Sequence, residues 1–133
     1  MMYVDADDIK DMAEKIIDAK EELDHIRLLD INIGFLYSDK EKKAGGNLVF
    51  ADCTKVNGLL SHYCPYDFII TVYEPNIIEL SDAQLQVLIY HELLHIGTDG
   101  KLKGHNVRDF YVLLQEYGLD WIETDIEPII GGD

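Results

Sequence analysis

Cysteine, proline and positive charge are all scarce in this chain. Two cysteines and three prolines occur in 133 residues. Cys53 and Cys64 stand outside any CxxC pattern, and no further N/S ligand pair lies near His62 and Cys64 to complete four-coordination. A disulfide-framed module is therefore disfavoured against two reduced, partly buried thiols. Neither an internal repeat nor a low-complexity block is present, and no proline-rich stretch reads as a linker. Residues 1–133 are accordingly expected to form a single domain. No apolar run reaches membrane-spanning length. The opening "MMYVDADDIKDM" lacks the basic and apolar regions of a signal peptide, so the expected location is cytoplasmic. Only 11 Lys and Arg stand against 26 Asp and Glu, giving a net charge of −15. Such a surface repels phosphate backbones and anionic membranes, so no nucleic-acid or membrane partner is expected. A basic peptide or protein is electrostatically compatible.

The chain is otherwise ordinary: 47% hydrophobic and 28% charged, the usage of a folded domain. From Asp5 to about Ile26, Ile9, Met12, Ala13, Ile16, Ile17 and Leu23 recur at helical spacing behind an acidic start. "DINIGFLY" and "NLVFADCTKV" alternate like strands around the polar "SDKEKKAGG", which predicts a hairpin. "YDFIITVYEP" predicts a third strand ended by Pro75. Ser81 with Gln84 forms a capping-box signature, and Leu80 and Leu85 occupy hydrophobic-staple positions. These predict a helix from Asp82 to about Ile96, ended by Gly97. A further helix is expected from about His105 to Gly118, followed by a short extended segment and a frayed end over about 122–133.

The predicted Asp82–Ile96 helix carries "HELLH". His91 and His95, four apart, project from one face and can grip one Zn²⁺ at about 2.0–2.1 Å each. Glu92 lies about 100° further round the helix. That placement suits a general base acting on a water at the metal's open position better than a third ligand. By chance H-E-x-x-H arises in roughly a few of every thousand chains this long, so a metal site outweighs coincidence. A catalytic zinc takes three protein ligands and keeps one position open. The best third ligand is His105, beyond a loop containing Gly97, Gly100 and Gly104; Asp99, Asp109 and Glu116 compete. Asp109, four residues after His105, suits either a bond to a ligand histidine's free N–H or a plain place on the helix surface. For the oxyanion, Tyr111, Tyr117 and His62 all remain open. An exposed edge strand near the helix could pair with an extended peptide, with the Tyr66–Tyr73 strand nearest in sequence.

"HELLH" followed by "GHNVRDF" resembles the zincin superfamily, and within it the small metallopeptidase domain of phage and prophage genomes. It is also similar to the SprT-like proteases, in which an aromatic follows the last histidine, here Phe110. "ADCTKV", "YDFIITVYEPN" and "LSDAQLQVLIYHELLHIG" resemble the phage family too, so the likeness runs from about Ile31 to Trp121. It implies an α+β, minimal zincin-like domain. That domain would hold an N-terminal helix, a small sheet of three strands or slightly more, the HExxH metal helix and a following helix. It further implies His91, His95 and His105 as zinc ligands, Glu92 as base, a peptide or protein substrate, and the host-cell cytoplasm as the setting. Peptide deformylases share HExxH but need a cysteine ligand and a glutamine-bearing glycine motif absent here. Three-histidine metal endoribonucleases lack a glutamate after the first histidine, and −15 is unsuited to RNA. A non-catalytic, zinc-stabilised acidic binding module, acting as a host-protein antagonist or DNA mimic, is the remaining alternative. Glu92 is the feature against it.

Overall fold

A computed structural model of the chain describes residues 2–56, 58–102 and 129. It shows an α+β arrangement with a small mixed sheet. Strand β1 (Tyr3–Asp5) leads into helix α1 (Asp7–Ala19), a 3-10 turn (Glu21–Leu23) and the short helix α2 (Asp24–Leu28). The single helix expected over Asp5–Ile26 is thus interrupted at Lys20, whose extended backbone ends α1. The apolar stripe persists through the break: Ile9, Ala13, Ile16, Ile17, Leu23 and Ile26 are all buried. Each such isoleucine or leucine contributes about 1.5–3 kcal/mol on burial, which outweighs the loss of a few intrahelical bonds.

Strands β2 (Ile33–Ser38), β3 (Lys43–Ala44), β4 (Asn47–Leu48), β5 (Ala51–Lys55) and β6 (Phe68–Tyr73) follow, with a 3-10 turn at Gly58–His62 between the last two. The main sheet has the order β1-β2-β6-β5. This corrects the expected hairpin of β2 with β5. Strand β6 inserts between them, parallel to β2 and antiparallel to β5. The physical reason is composition. "FIITVY" is apolar on both faces and suits the centre of a sheet, whereas "ADCTK" carries Asp52, Thr54 and Lys55 and suits an edge. The only hairpin within "KAGGNL" is the small β3–β4 pair, turned by Gly45 and Gly46 at φ of 58° and 82°. Positive φ at both central residues is what a two-residue hairpin of this twist requires, hence the paired glycines.

Register places Ile33, Phe35 and Tyr37 beside Phe68, Ile70 and Val72, which in turn face Lys55, Cys53 and Ala51. This face of the sheet packs on α1 and on α4 (Asp82–Leu94), and the two helices also touch each other. Pro75 sits in the first turn of α3 (Glu74–Ile77), a position where its missing N–H costs nothing. No described helix is long and apolar enough to cross a membrane.

Candidate metal centre

Helix α4 starts where its sequence signals place it. Ser81 Oγ accepts from the Gln84 N–H at 3.1 Å, and Gln84 Oε1 accepts from the Ser81 N–H at 2.8 Å. Leu80 and Leu85 flank this box and both pack on the core. From Gln86 onward the helix is enclosed by α1, β5 and the Glu21–Leu23 turn, and Tyr90, Leu93 and Ile96 are at most 1% exposed. A helix enclosed on all sides needs apolar residues all round, which is what "VLIY…LL" supplies. Between Gln86 and Gly97 only His91 and His95 escape full burial. They are four apart, so the helix has one window, and both imidazoles stand in it.

The two rings lie 5.3 Å apart at an interplanar angle of 70°. Glu92 lines the same window from below at 4% exposure, the one buried carboxylate among the described residues. Its Oε2 is 3.9 Å from His91 Nε2, and donor atoms of His91, Glu92 and His95 all lie within 4.8 Å of one another. Two donors about 2.0–2.1 Å from a tetrahedral ion stand about 3.4 Å apart. Donor atoms that all lie within 4.8 Å of one another can therefore hold one ion after side-chain movements of about an ångström. Nitrogen donors beside a buried carboxylate suit a divalent transition metal better than calcium or magnesium.

The end of α4 turns the chain straight back. The His95 and Ile96 N–H groups donate to the Glu92 and Leu93 carbonyls at 3.1 Å. Gly97 N–H then donates to the Lys101 carbonyl at 2.8 Å, Gly100 adopts φ of 76°, and Ile96 bridges Leu102. The expected stop at Gly97 is in fact a turn spanning Gly97–Lys101. Asp99, one of the competing ligands, is exposed in this turn and accepts from the Lys101 N–H. His62 is exposed and edge-on to Tyr63 rather than part of the histidine cluster. His105, Asp109, Phe110, Tyr111, Glu116 and Tyr117 lie outside the described residues.

Two neighbours of the site carry no sequence signal near HELLH. Cys53 shares the helix-facing side of β5, close enough for Glu92 to act on its titration. Burial pushes its thiol up to about 12, with the Glu92 and Asp52 charges adding to the rise. It is a protonated thiol at neutral pH, unlike an activated cysteine. The second neighbour is the free edge of β5, which has no further strand beside it among the described residues. The Val56 N–H bonds to the Asp67 carbonyl and the Tyr73 N–H to the Phe50 carbonyl. Antiparallel alternation then assigns Phe50, Asp52, Thr54 and Val56 to β6, and turns the N–H and C=O groups of Ala51, Cys53 and Lys55 outward. The start of this edge is pinned: Lys42 Nζ and Tyr73 OH donate to Asp52 Oδ2 at 2.5 and 2.6 Å.

A protein-family model described as "Putative phage metallopeptidase" matches residues 1–129. The chain belongs to this family. The match spans every described element of the fold and both histidines of the window. No curated protein and no solved structure gives a significant match. Membership in a metallopeptidase family and a His-Glu-His group able to hold an ion agree on metal binding.

Proposed function

We propose that this single-domain protein is a zinc-dependent peptidase whose ion is held by His91, His95 and His105. The observation that carries the reading is the window in α4: an enclosed helix opened only at two imidazoles, with a buried carboxylate 3.9 Å from one of them. His105 follows Leu102 by three residues, and Leu102 is bridged to Ile96 beside His95. Three extended residues reach about 10 Å, enough to bring its imidazole back to the window. A divalent ion bound there supplies a Lewis acid that polarises a carbonyl and acidifies water. Glu92 accepts the proton of the attacking water and returns it to the leaving amine. Its burial keeps that carboxylate from bulk solvent and fixed toward the window. The outward backbone groups of Ala51, Cys53 and Lys55 can pair with an extended peptide and lay it across the window, which favours a peptide over other carbonyl substrates.

The test is turnover of a degenerate fluorogenic peptide library by zinc-loaded protein. Cleavage is expected, abolished by a chelator and lowered about 10²–10⁴-fold by Glu92→Gln. Zinc bound one per chain without cleavage of any peptide would contradict the enzyme. It would favour an acidic zinc-stabilised binding module, a reading to which the net charge of −15 lends its only support.

A further inference from the structure

The carbonyl of Ile96, two residues past the end of the metal helix, is held by a residue from far earlier in the chain. His25 Nε2 lies 2.6 Å from the Ile96 carbonyl oxygen, across 71 positions of sequence. A carbonyl only accepts, so the proton is on Nε2 and the imidazole donates. Ile96 is 1% exposed, so water has little access to its backbone, and an unpaired buried carbonyl is costly. The site of this bond matters more than its energy. Ile96 follows His95 directly, and its peptide plane sets where Gly97–Lys101 turns back toward Leu102. One bond thus anchors the residue that follows the proposed ligand His95 and the departure of the loop that leads to another. His25 is itself held in place. It lies half-buried in α2, next to Ile26 at 3% exposure and just after the fully buried Leu23 of the preceding turn.

We propose that His25 is a positioning residue for the metal centre, holding the Ile96 carbonyl so that His95 and the returning loop keep the geometry that binds the ion. The inference rests on the zinc reading above. It differs from a plain stability role because the bond acts on the residue next to the proposed ligand His95 and needs a donor at the reach of Nε2. Glutamine places an N–H at a similar reach from the backbone, whereas asparagine falls short by about one bond.

The experiment measures zinc affinity by competition with a chromophoric chelator, alongside thermal unfolding of the metal-free proteins. Wild type is compared with His25→Ala, His25→Gln, His25→Asn and Ile26→Val. The last removes one buried methylene beside His25 and leaves the bond intact, so it reports stability loss alone. His25→Ala and His25→Asn are expected to weaken zinc binding about tenfold or more, the scale of losses from groups that orient metal ligands. His25→Gln should stay within about threefold of wild type, and Ile26→Val should lower only the unfolding temperature. Should His25→Ala fail to fold, the contrast of His25→Gln with His25→Asn decides alone. Wild-type affinity in His25→Asn, or equal weakening in His25→Gln and His25→Asn, would overturn the proposal. Absence of zinc binding by wild type would instead overturn the metal reading itself and the inference with it.

Discussion

Replacing Cys53 with proline removes one outward-facing N–H from the edge of β5 without touching the ladder to β6. The antiparallel register pairs Cys53 with Ile70 at a position whose backbone groups face away from that strand. Proline is tolerated at such sites because the N–H it lacks was unpaired. Its neighbour Thr54 bonds to Ile69, so Thr54→Pro breaks the sheet and should cost about 1–3 kcal/mol of stability. A peptide lying along β5 loses one hydrogen bond in Cys53→Pro, about 0.5–1.5 kcal/mol, or roughly two- to twelvefold in kcat/KM. Cys53→Ala is the reference, because it removes the thiol near Glu92 and keeps the N–H. The assay is cleavage of the best peptide from the library, with unfolding temperature measured in parallel. Equal kcat/KM for the proline and alanine variants, with both folded, would refute pairing of substrate with this edge.

Other perturbations test the scaffold. Ser81→Ala should cost about 1 kcal/mol and lower the unfolding temperature by about 4 °C, since it removes the capping bond to the Gln84 N–H. An added Cβ at Gly34 would meet the Tyr66 ring at 3.0 Å, so Gly34→Ala should destabilise by about 1 kcal/mol in wild type. In a Tyr66→Ala background the same change should become neutral or stabilising, read from urea midpoints. Alkaline pH should weaken the fold, because Cys53, Tyr37 and Tyr73 all titrate higher when folded, each chiefly through burial. Their contribution is complete below the ordinary thiol value near 9 and is lost as pH rises toward and beyond 12. Urea midpoints at pH 8 and 11 check it. At pH 8 Cys53 should also react with iodoacetamide about 10²-fold or more slower than an unperturbed thiol.

How much of this was legible beforehand depends on range. The start and course of helix α4 are readable because the signals are local, a capping box, a staple and HELLH within sixteen residues, while its end at Leu94 comes two residues before the expected Ile96. The apolar stripe of α1 was readable for the same reason, whereas its break at Lys20 was not, because burial of Leu23 and Ile26 is a tertiary gain. The expected hairpin of β2 with β5 does not form, because composition outweighs adjacency in sequence. A strand apolar on both faces belongs between partners, and "FIITVY" carried that signal. The contact of His25 with the end of α4 had no signal at all, since nothing local to Asp24–Leu28 says what its last turn will meet. Within the site, the i, i+4 histidines and the intervening glutamate come together as their spacing requires. The enclosure that leaves only them at a window follows from the packing of α1 and β5 around the helix.

The most direct test of the metal centre is zinc content per chain for purified wild type, His95→Ala, His105→Ala and Glu92→Gln. One zinc in wild type and in Glu92→Gln, with marked loss in both histidine variants, is the predicted result: three imidazoles hold the ion and the carboxylate moves protons. No zinc in wild type after supplementation would contradict the metal centre. Loss of zinc in Glu92→Gln would contradict the base, and make Glu92 a ligand instead.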